Sequence, residues 1–180
     1  MPLELMRRRR SVRRFTDEAL SDETLNQLLE AALLAPTSKN TRCWRFVVVQ
    51  DKETLLALSA AKPQGASFLK HAAAAIVVCG DPAVSDAWVE DCAVAAAMIH
   101  LEATILGLAS CWIQLRLRPH DETTSASAYA ANILGLPESL PILAVVALGK
   151  PGDSKKPHDP SELRFDQVYR ERFGQAWPRP

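Results

Sequence analysis

The sequence predicts one domain of α/β or α+β class, in which helices alternate with buried strands. Three observations carry that prediction. The chain has 180 residues, 48% of them apolar and 23% charged, which suits a single soluble domain able to bury a core. Four apolar runs of strand length recur without a clear in/out alternation, the pattern of strands covered on both faces. Stretches with helical periodicity lie between them, and no internal repeat or long linker divides the chain. Residues 1–180 are therefore expected to form one domain, with a basic tail from about residue 150.

A first helix is expected over about 22–34, because Leu25, Leu28, Leu29, Ala32 and Leu33 repeat at helical spacing. Ser21 can cap it, Asp22 and Glu23 suit the positive end of its dipole, and Pro36 ends it. After the polar run TSKNTR, the run RFVVVQ (45–50) reads as a strand, and a short helix follows around 51–61. AAIVVCG (74–80), SCWIQL (110–115) and PILAVVALG (141–149) are the second, third and fourth strands. The long apolar stretch 86–112 carries Asp86, Glu90, Asp91, His100 and Glu102, so it reads as a buried helix running into a strand and not as a membrane span. A helix over 120–134 precedes the breakers of GLPESLP. From 150 the chain turns to Pro, Lys and Asp before a last amphipathic stretch near RFDQVYRERF.

Several chemistries drop out. The N-terminus shows no apolar segment with a small-residue cleavage site, so no secretory signal and a cytoplasmic location are expected. Cys43, Cys79, Cys92 and Cys111 form no C-x-x-C pair, and His71, His100, His120 and His158 are equally scattered. Buried structural thiols and no metal site follow. The hydrolase, zinc-protease and phosphate-loop signatures are absent. Trp44 and Trp112 read as core, and Asp91, at the head of an apolar helix, as a capping or charge-paired residue.

Charge is what remains. Residues 1–50 carry nine basic against six acidic side chains, 51–149 five against ten, and 150–180 seven against five, so both ends are basic around an acidic middle. Six of the basic residues fall in RRRRSVRRF (7–15). A solvated face or a nucleic-acid patch is one reading of such a run, but nucleic-acid binding expects a broadly basic domain with interleaved aromatics. Here the pI is about 6.9, and Ser11, Val12 and Phe15 build the run into a fold. The other reading is a phosphate-bearing small molecule, for which guanidinium groups supply bidentate donors and Ser11 a hydroxyl. A flat ring on such a ligand needs backbone amides and fixed polar groups, which APTSKNTRCW offers.

The order R-R-S-V-R-x-F (Arg9, Arg10, Ser11, Val12, Arg13, Phe15), an amphipathic helix, then A-P-T-S-x-N-x-x-x-W (Ala35, Pro36, Thr37, Ser38, Asn40, Trp44) leading into RFVVV resembles the FMN-dependent nitroreductase family. An Ala-rich helix entered by an acidic residue and ending in LGLASCWI, at 91–113, and ALGKP (147–151) before a basic tail extend the likeness over about residues 5–160.

The resemblance implies an α+β fold, an α/β/α sandwich with a central mixed, mainly antiparallel sheet, working as an obligate homodimer with FMN at the subunit interface. By motif position Arg9 and Ser11 would contact the phosphate and ribityl end, with Arg10 beside them, and Arg13 would approach the pyrimidine edge of the ring. Pro36, Thr37, Ser38 and Asn40 would come from the partner subunit. Backbone amides around Gln114 would complete the ring contacts, and Lys155 and Lys156 would be second contributors at the phosphate. Arg7, Arg8 and Arg14 have no matching role and are expected to be solvated or interface charge. The implied activity is ping-pong transfer of a hydride from NADH or NADPH through FMN to a nitroaromatic, quinone or similar small-molecule acceptor, with no catalytic side chain, no nucleic acid and no membrane. Reduction would place negative charge at the N1/C2=O edge, which a fixed guanidinium favours.

Two departures bear on substrate class. Arg42 and Cys43 stand where many members have Gln-Pro, and QLRLRP follows the third strand where many have glycines. A non-catalytic FMN-binding or sensor protein is the alternative, and a nucleic-acid binder a more distant one.

Overall fold

The computed structural model describes residues 2–178. In chain order the elements are α1 (Pro2–Arg8), α2 (Asp22–Leu33), β1 (Trp44–Val49), α3 (Lys52–Ser59), β2 (Ala74–Gly80), α4 (Trp88–Ile105), β3 (Ala109–Gln114), α5 (Ala126–Leu134) and β4 (Ile142–Gly149). Short 3-10 turns occupy Ser38–Asn40, Ser67–His71, Pro160–Glu162 and Phe165–Gln167.

Local chemistry sets the helix starts. Ser21 Oγ accepts the amide of Thr24 at 3.2 Å, Asp51 Oδ2 that of Thr54 at 2.8 Å, and Ser125 Oγ that of Ala128 at 3.1 Å. The helix expected over 120–134 begins only at Ala126. Asp121 Oδ1 accepts the amides of Thr123 and Thr124, both at 2.8 Å, which curls those residues into a turn ahead of the Ser125 cap. Helix α1 has no counterpart among the predicted elements; its signals are Pro2 at the first position, Glu4 in the first turn, and Arg7 and Arg8 in the last.

The strands pair antiparallel in the order β1-β2-β4-β3. The parallel component is a short pairing of Ser11 with Ser110 on the outer side of β3. On one face α2 and α4 bury Leu25, Leu28, Ala95, Ala96, Ile99 and Ala103 against Ile76, Val78, Val146 and Leu148. On the other, α3, α5 and the 67–71 turn bury Leu55, Leu58, Leu69, Ala126 and Ala130 against Val77, Ile113, Leu115 and Val145. This is the three-layer α+β sandwich. Central strands β2 and β4 are buried at every residue. Outer strand β1 is not: Arg45 is exposed and Phe46, Val47 and Val48 are half-buried, so the expectation of four fully covered strands fails at that edge. Trp44 is core and Trp112 packs against it. No helix among the described residues is long and apolar enough to cross a membrane.

Candidate functional site

The arginine segment is clamped along the edge of β3. Arg9 N donates to Leu5 O at 3.0 Å, the last turn of α1. The chain then extends, Val12 N donating to Ser110 O at 3.1 Å, before Thr16 N reaches Lys150 O at 3.0 Å and Gly152 N reaches Arg14 O at 2.9 Å. A Cβ on Gly152 would stand 3.1 Å from the Arg14 and Phe15 backbone, so a side chain there would press on the segment and glycine suits the close approach. The corner where β3 begins and β4 ends thus fixes residues 9–16 from two sides.

Extended backbone sends successive side chains to opposite sides. Arg9 and Arg13 both act on the thiol of Cys111, their charges, with that of Lys62, opposing the rise that burial imposes on its pKa. The Arg13 guanidinium lies 5.8 Å from the Phe68 ring centroid. Arg10 does not stand beside Arg9 and Ser11 as expected. With buried Val12 it turns to the other side, where its guanidinium donates to the carbonyl of Lys156 and lines a cleft of about 270 Å³ with Arg8, Asp153, Ser154 and Lys155. Lys155 Nζ is 4.0 Å from Asp153 Oδ2, while Asp153 Oδ1 is buried with no hydrogen-bond partner among the described residues. The tail lysines therefore do meet the arginine segment, on Arg10's side. Arg7 pairs with Glu4 at 3.7 Å, and Arg14 is exposed.

Pro36, Thr37, Ser38 and Asn40 lie in the turn between α2 and β1. Lys39, Asn40 and Arg42 all have positive φ, at 50°, 55° and 50°, a conformation that costs about 1–3 kcal/mol for each residue with a side chain unless the surroundings hold it. Arg42 N donates to Thr37 Oγ1 and Arg42 Nε to Asn40 Oδ1, each at 3.1 Å. Asp91 supplies the rest. Its carboxylate, 5% exposed, accepts from Ser38 N at 2.8 Å, Cys43 Sγ and Ser85 Oγ at 3.4 Å, and Thr41 Oγ1 at 3.5 Å. It does not cap its own helix, and among the described residues it meets no cation within salt-bridge distance; it anchors this turn, a correction to its expected role. Burial first, then Asp91, raises the Cys43 pKa.

Gln114 corrects another expectation. Its Nε2 donates to Arg116 O and its Oε1 accepts from Trp112 Nε1, both at 2.9 Å. The amides of Leu115 and Arg116 both donate to Leu143 O, at 3.1 and 3.0 Å, so they are already engaged within the sheet's end.

The two halves of the expected site do not meet in one chain. Trp44, where β1 begins, pairs with Gly80; Ser110, where β3 begins, pairs with Leu148, at the other end of the sheet and across its full width. Ordinary strand spacings put roughly 25 Å between these diagonal corners. Phe68, beneath Arg13, and Lys62, which acts with Arg13 on Cys111, join this corner with no sequence signal, since only packing joins these turns. The cysteines are buried and free, burial pushing Cys79 and Cys92 up to about 12, and no metal-holding cluster exists among the described residues.

A model of the nitroreductase family matches residues 6–75. An Archaeoglobus fulgidus protein, provisionally named an NADH dehydrogenase/NAD(P)H nitroreductase, is 40% identical over 177 residues, covering 95% of this chain and 98% of its own. The solved structure of an FMN-dependent nitroreductase from Clostridium difficile R20291 superposes with a TM-score of 0.93 at 39% identity, covering 95% of this chain and 99% of that one. A provisionally named Desulfovibrio desulfuricans nitroreductase solved in complex with FMN gives 0.77 at 26% identity over 96% and 97%.

Proposed function

The chain belongs to the nitroreductase family, and from that premise we propose that it is an FMN-dependent NAD(P)H oxidoreductase whose two sites are each completed by a second copy of the chain. The observation that carries this reading is the basic corner beside β3, where Arg9, Ser11 and Arg13 share one side of an extended segment and no carboxylate lies within salt-bridge distance of either arginine among the described residues.

The residues present fit a flavin nucleotide. The orphaned Asp153 oxygen shares its cleft with Arg8, Arg10 and Lys155, and a hydroxyl-bearing chain ending in phosphate offers donors to the first and an anion to the others. Bound FMN would supply the redox chemistry, with NADH or NADPH as reductant and a nitroaromatic, quinone or related conjugated compound as acceptor. The chain's own work is orientation and charge. Arg9 and Ser11 would meet the phosphate and ribityl end from one side of the segment, and Arg10, with Lys155 and Lys156, would approach the phosphate from the other. Arg13, steadied by Phe68, would favour negative charge on the pyrimidine edge. The partner copy's Pro36, Thr37, Ser38 and Asn40 would close over the ring and exclude water. Gln114 would serve by shaping the strand end. No protein acid or base is needed.

Two surfaces support the dimer. Leu33, Leu34, Val94 and Ile105 are exposed on α2 and α4, and in the tail Val168, Tyr169 and Trp177 are about two-fifths exposed and Phe173 is 89% exposed. A second copy of the chain would cover these exposed apolar side chains.

The test is the visible spectrum of purified protein before and after anaerobic NADPH and NADH, with its molar mass in solution. A yellow dimer bleached by either nucleotide is expected. Yellow protein that neither bleaches would favour the sensor reading, and colourless protein with salt-dependent nucleic-acid affinity would favour the third.

A further inference from the structure

A second basic cluster lies where the turn after α3 meets the turn after β3. Lys62, Pro63, Gln64, Arg118 and Pro119 line a cleft of about 270 Å³ there. Its walls are fixed. His120 Nδ1 lies 3.1 Å from Ala60 O and 3.3 Å from Ala61 O; carbonyls only accept, so this nitrogen carries the proton and ties one turn to the other. The His120 ring also stacks on Tyr129 with centroids 3.8 Å apart. Arg118 N donates to Leu115 O at 3.1 Å, and Ala126 N to Arg118 O at 2.8 Å.

Into this frame the fold places the cationic side chains of Lys62 and Arg118. Among the described residues no carboxylate lies within salt-bridge distance of Lys62 or Arg118. The neighbouring Asp121 is committed to the Thr123 and Thr124 amides, and among the described residues the Arg118 guanidinium makes one long contact, 3.5 Å to Leu117 O. Partial burial, then the charge of Arg118, holds the Lys62 ammonium below the ordinary lysine pKa. Like charges held side by side are a repulsion that the fold does not relieve and an anion would. Lys62 acts on the Cys111 thiol together with Arg13 and Arg9, which sets it toward the same side of β3 as the proposed flavin seat.

We propose that Lys62 and Arg118, with the Gln64 amide beside them, form an oxyanion subsite at the mouth of the flavin site, taking the anionic group of one of the two substrates that enter in turn. This rests on the oxidoreductase reading above. The oxyanion is either the 2′-phosphate of NADPH or a phosphate, sulfonate or carboxylate on the acceptor. In both cases the rigid guanidinium gives a bidentate contact and the flexible ammonium a point charge.

Calorimetric titration of the flavin-loaded protein tests it. The probes are adenosine 2′,5′-bisphosphate against adenosine 5′-monophosphate, and anthraquinone-2,6-disulfonate against neutral menadione; the variants are Lys62→Ala, Lys62→Gln, Arg118→Ala and Lys62→Arg. One anionic probe is expected to bind about tenfold tighter than its counterpart, an advantage that shrinks with added salt. Lys62→Ala, Lys62→Gln and Arg118→Ala should each lose most of that advantage, and Lys62→Arg should keep it. A preference confined to the bisphosphate assigns the subsite to the reductant, and one confined to the disulfonate assigns it to the acceptor. Wild-type protein that prefers neither anion, or folded charge-removing variants that retain the preference, would overturn the proposal. Binding is read without turnover, so wild-type flavin that neither nicotinamide bleaches would refute the oxidoreductase reading separately.

Discussion

The carboxylate of Asp91, in the first turn of α4, accepts the amide proton of Ser38 at 2.8 Å across 53 residues of sequence. It thereby holds a turn in which three residues with side chains adopt positive φ. Asp91→Ala would leave the Ser38 amide and the Thr41, Cys43 and Ser85 side chains without their acceptor, and is expected to cost about 3 kcal/mol in urea unfolding. Asp91→Asn keeps an acceptor oxygen, so it should cost less than half of that while still weakening FMN affinity through the relaxed turn. Unchanged stability in the alanine variant would show that the turn holds itself.

The arginine segment can be tested apart from the fold. Arg9→Ala with Ser11→Ala is expected to lower FMN retention at least tenfold while leaving the melting temperature of the apo protein nearly unchanged, because backbone hydrogen bonds hold the segment and these side chains do not. An equal loss in apo stability would make the pair structural.

Arg13 carries the charge proposed for the ring edge. Arg13→Ala should shift the bound flavin's midpoint potential downward, since a fixed positive charge favours the more negative reduced form. Spectroelectrochemistry reads this directly, and an unmoved potential would remove Arg13 from that role.

Gly80, where β2 ends, faces the Trp88 ring so closely that a Cβ would stand 2.5 Å from Cε3 and 2.9 Å from Cys92 Sγ. Gly80→Ala must displace Trp88, over which the Arg116 guanidinium sits at 5.8 Å. A loss of about 1–3 kcal/mol in thermal or urea unfolding is expected. Wild-type stability would mean that Trp88 moves freely.

His100 makes stability depend on pH. It is 8% exposed, its Nδ1 is 2.7 Å from Ser110 Oγ, and burial followed by the Arg9 charge lowers its pKa from 6.5 to about 4. Between those values the unfolded chain binds a proton that the folded chain does not. This contribution is therefore complete above pH 6.5, falls as the pH drops toward 4, and amounts to at most about 3 kcal/mol. Urea unfolding across that range should show a steeper decline for wild type than for His100→Gln; parallel curves would refute a neutral buried imidazole.

By itself the sequence determined what depends on neighbours along the chain. Ser21 as a cap, all four strands to within about a residue, the reduced buried cysteines and the family pattern of residues 9–15 and 35–44 were legible, because capping bonds and apolar periodicity act over a few residues. Only the tertiary structure decided which groups meet. The strand order β1-β2-β4-β3, the turning of Arg10 away from Arg9, the engagement of the Leu115 and Arg116 amides, the reach of Asp91 to Ser38 and the meeting of Lys62 with Arg118 join residues far apart in sequence. Such contacts follow from burying both faces of one sheet at once, a condition on the whole chain that no local pattern of residues records.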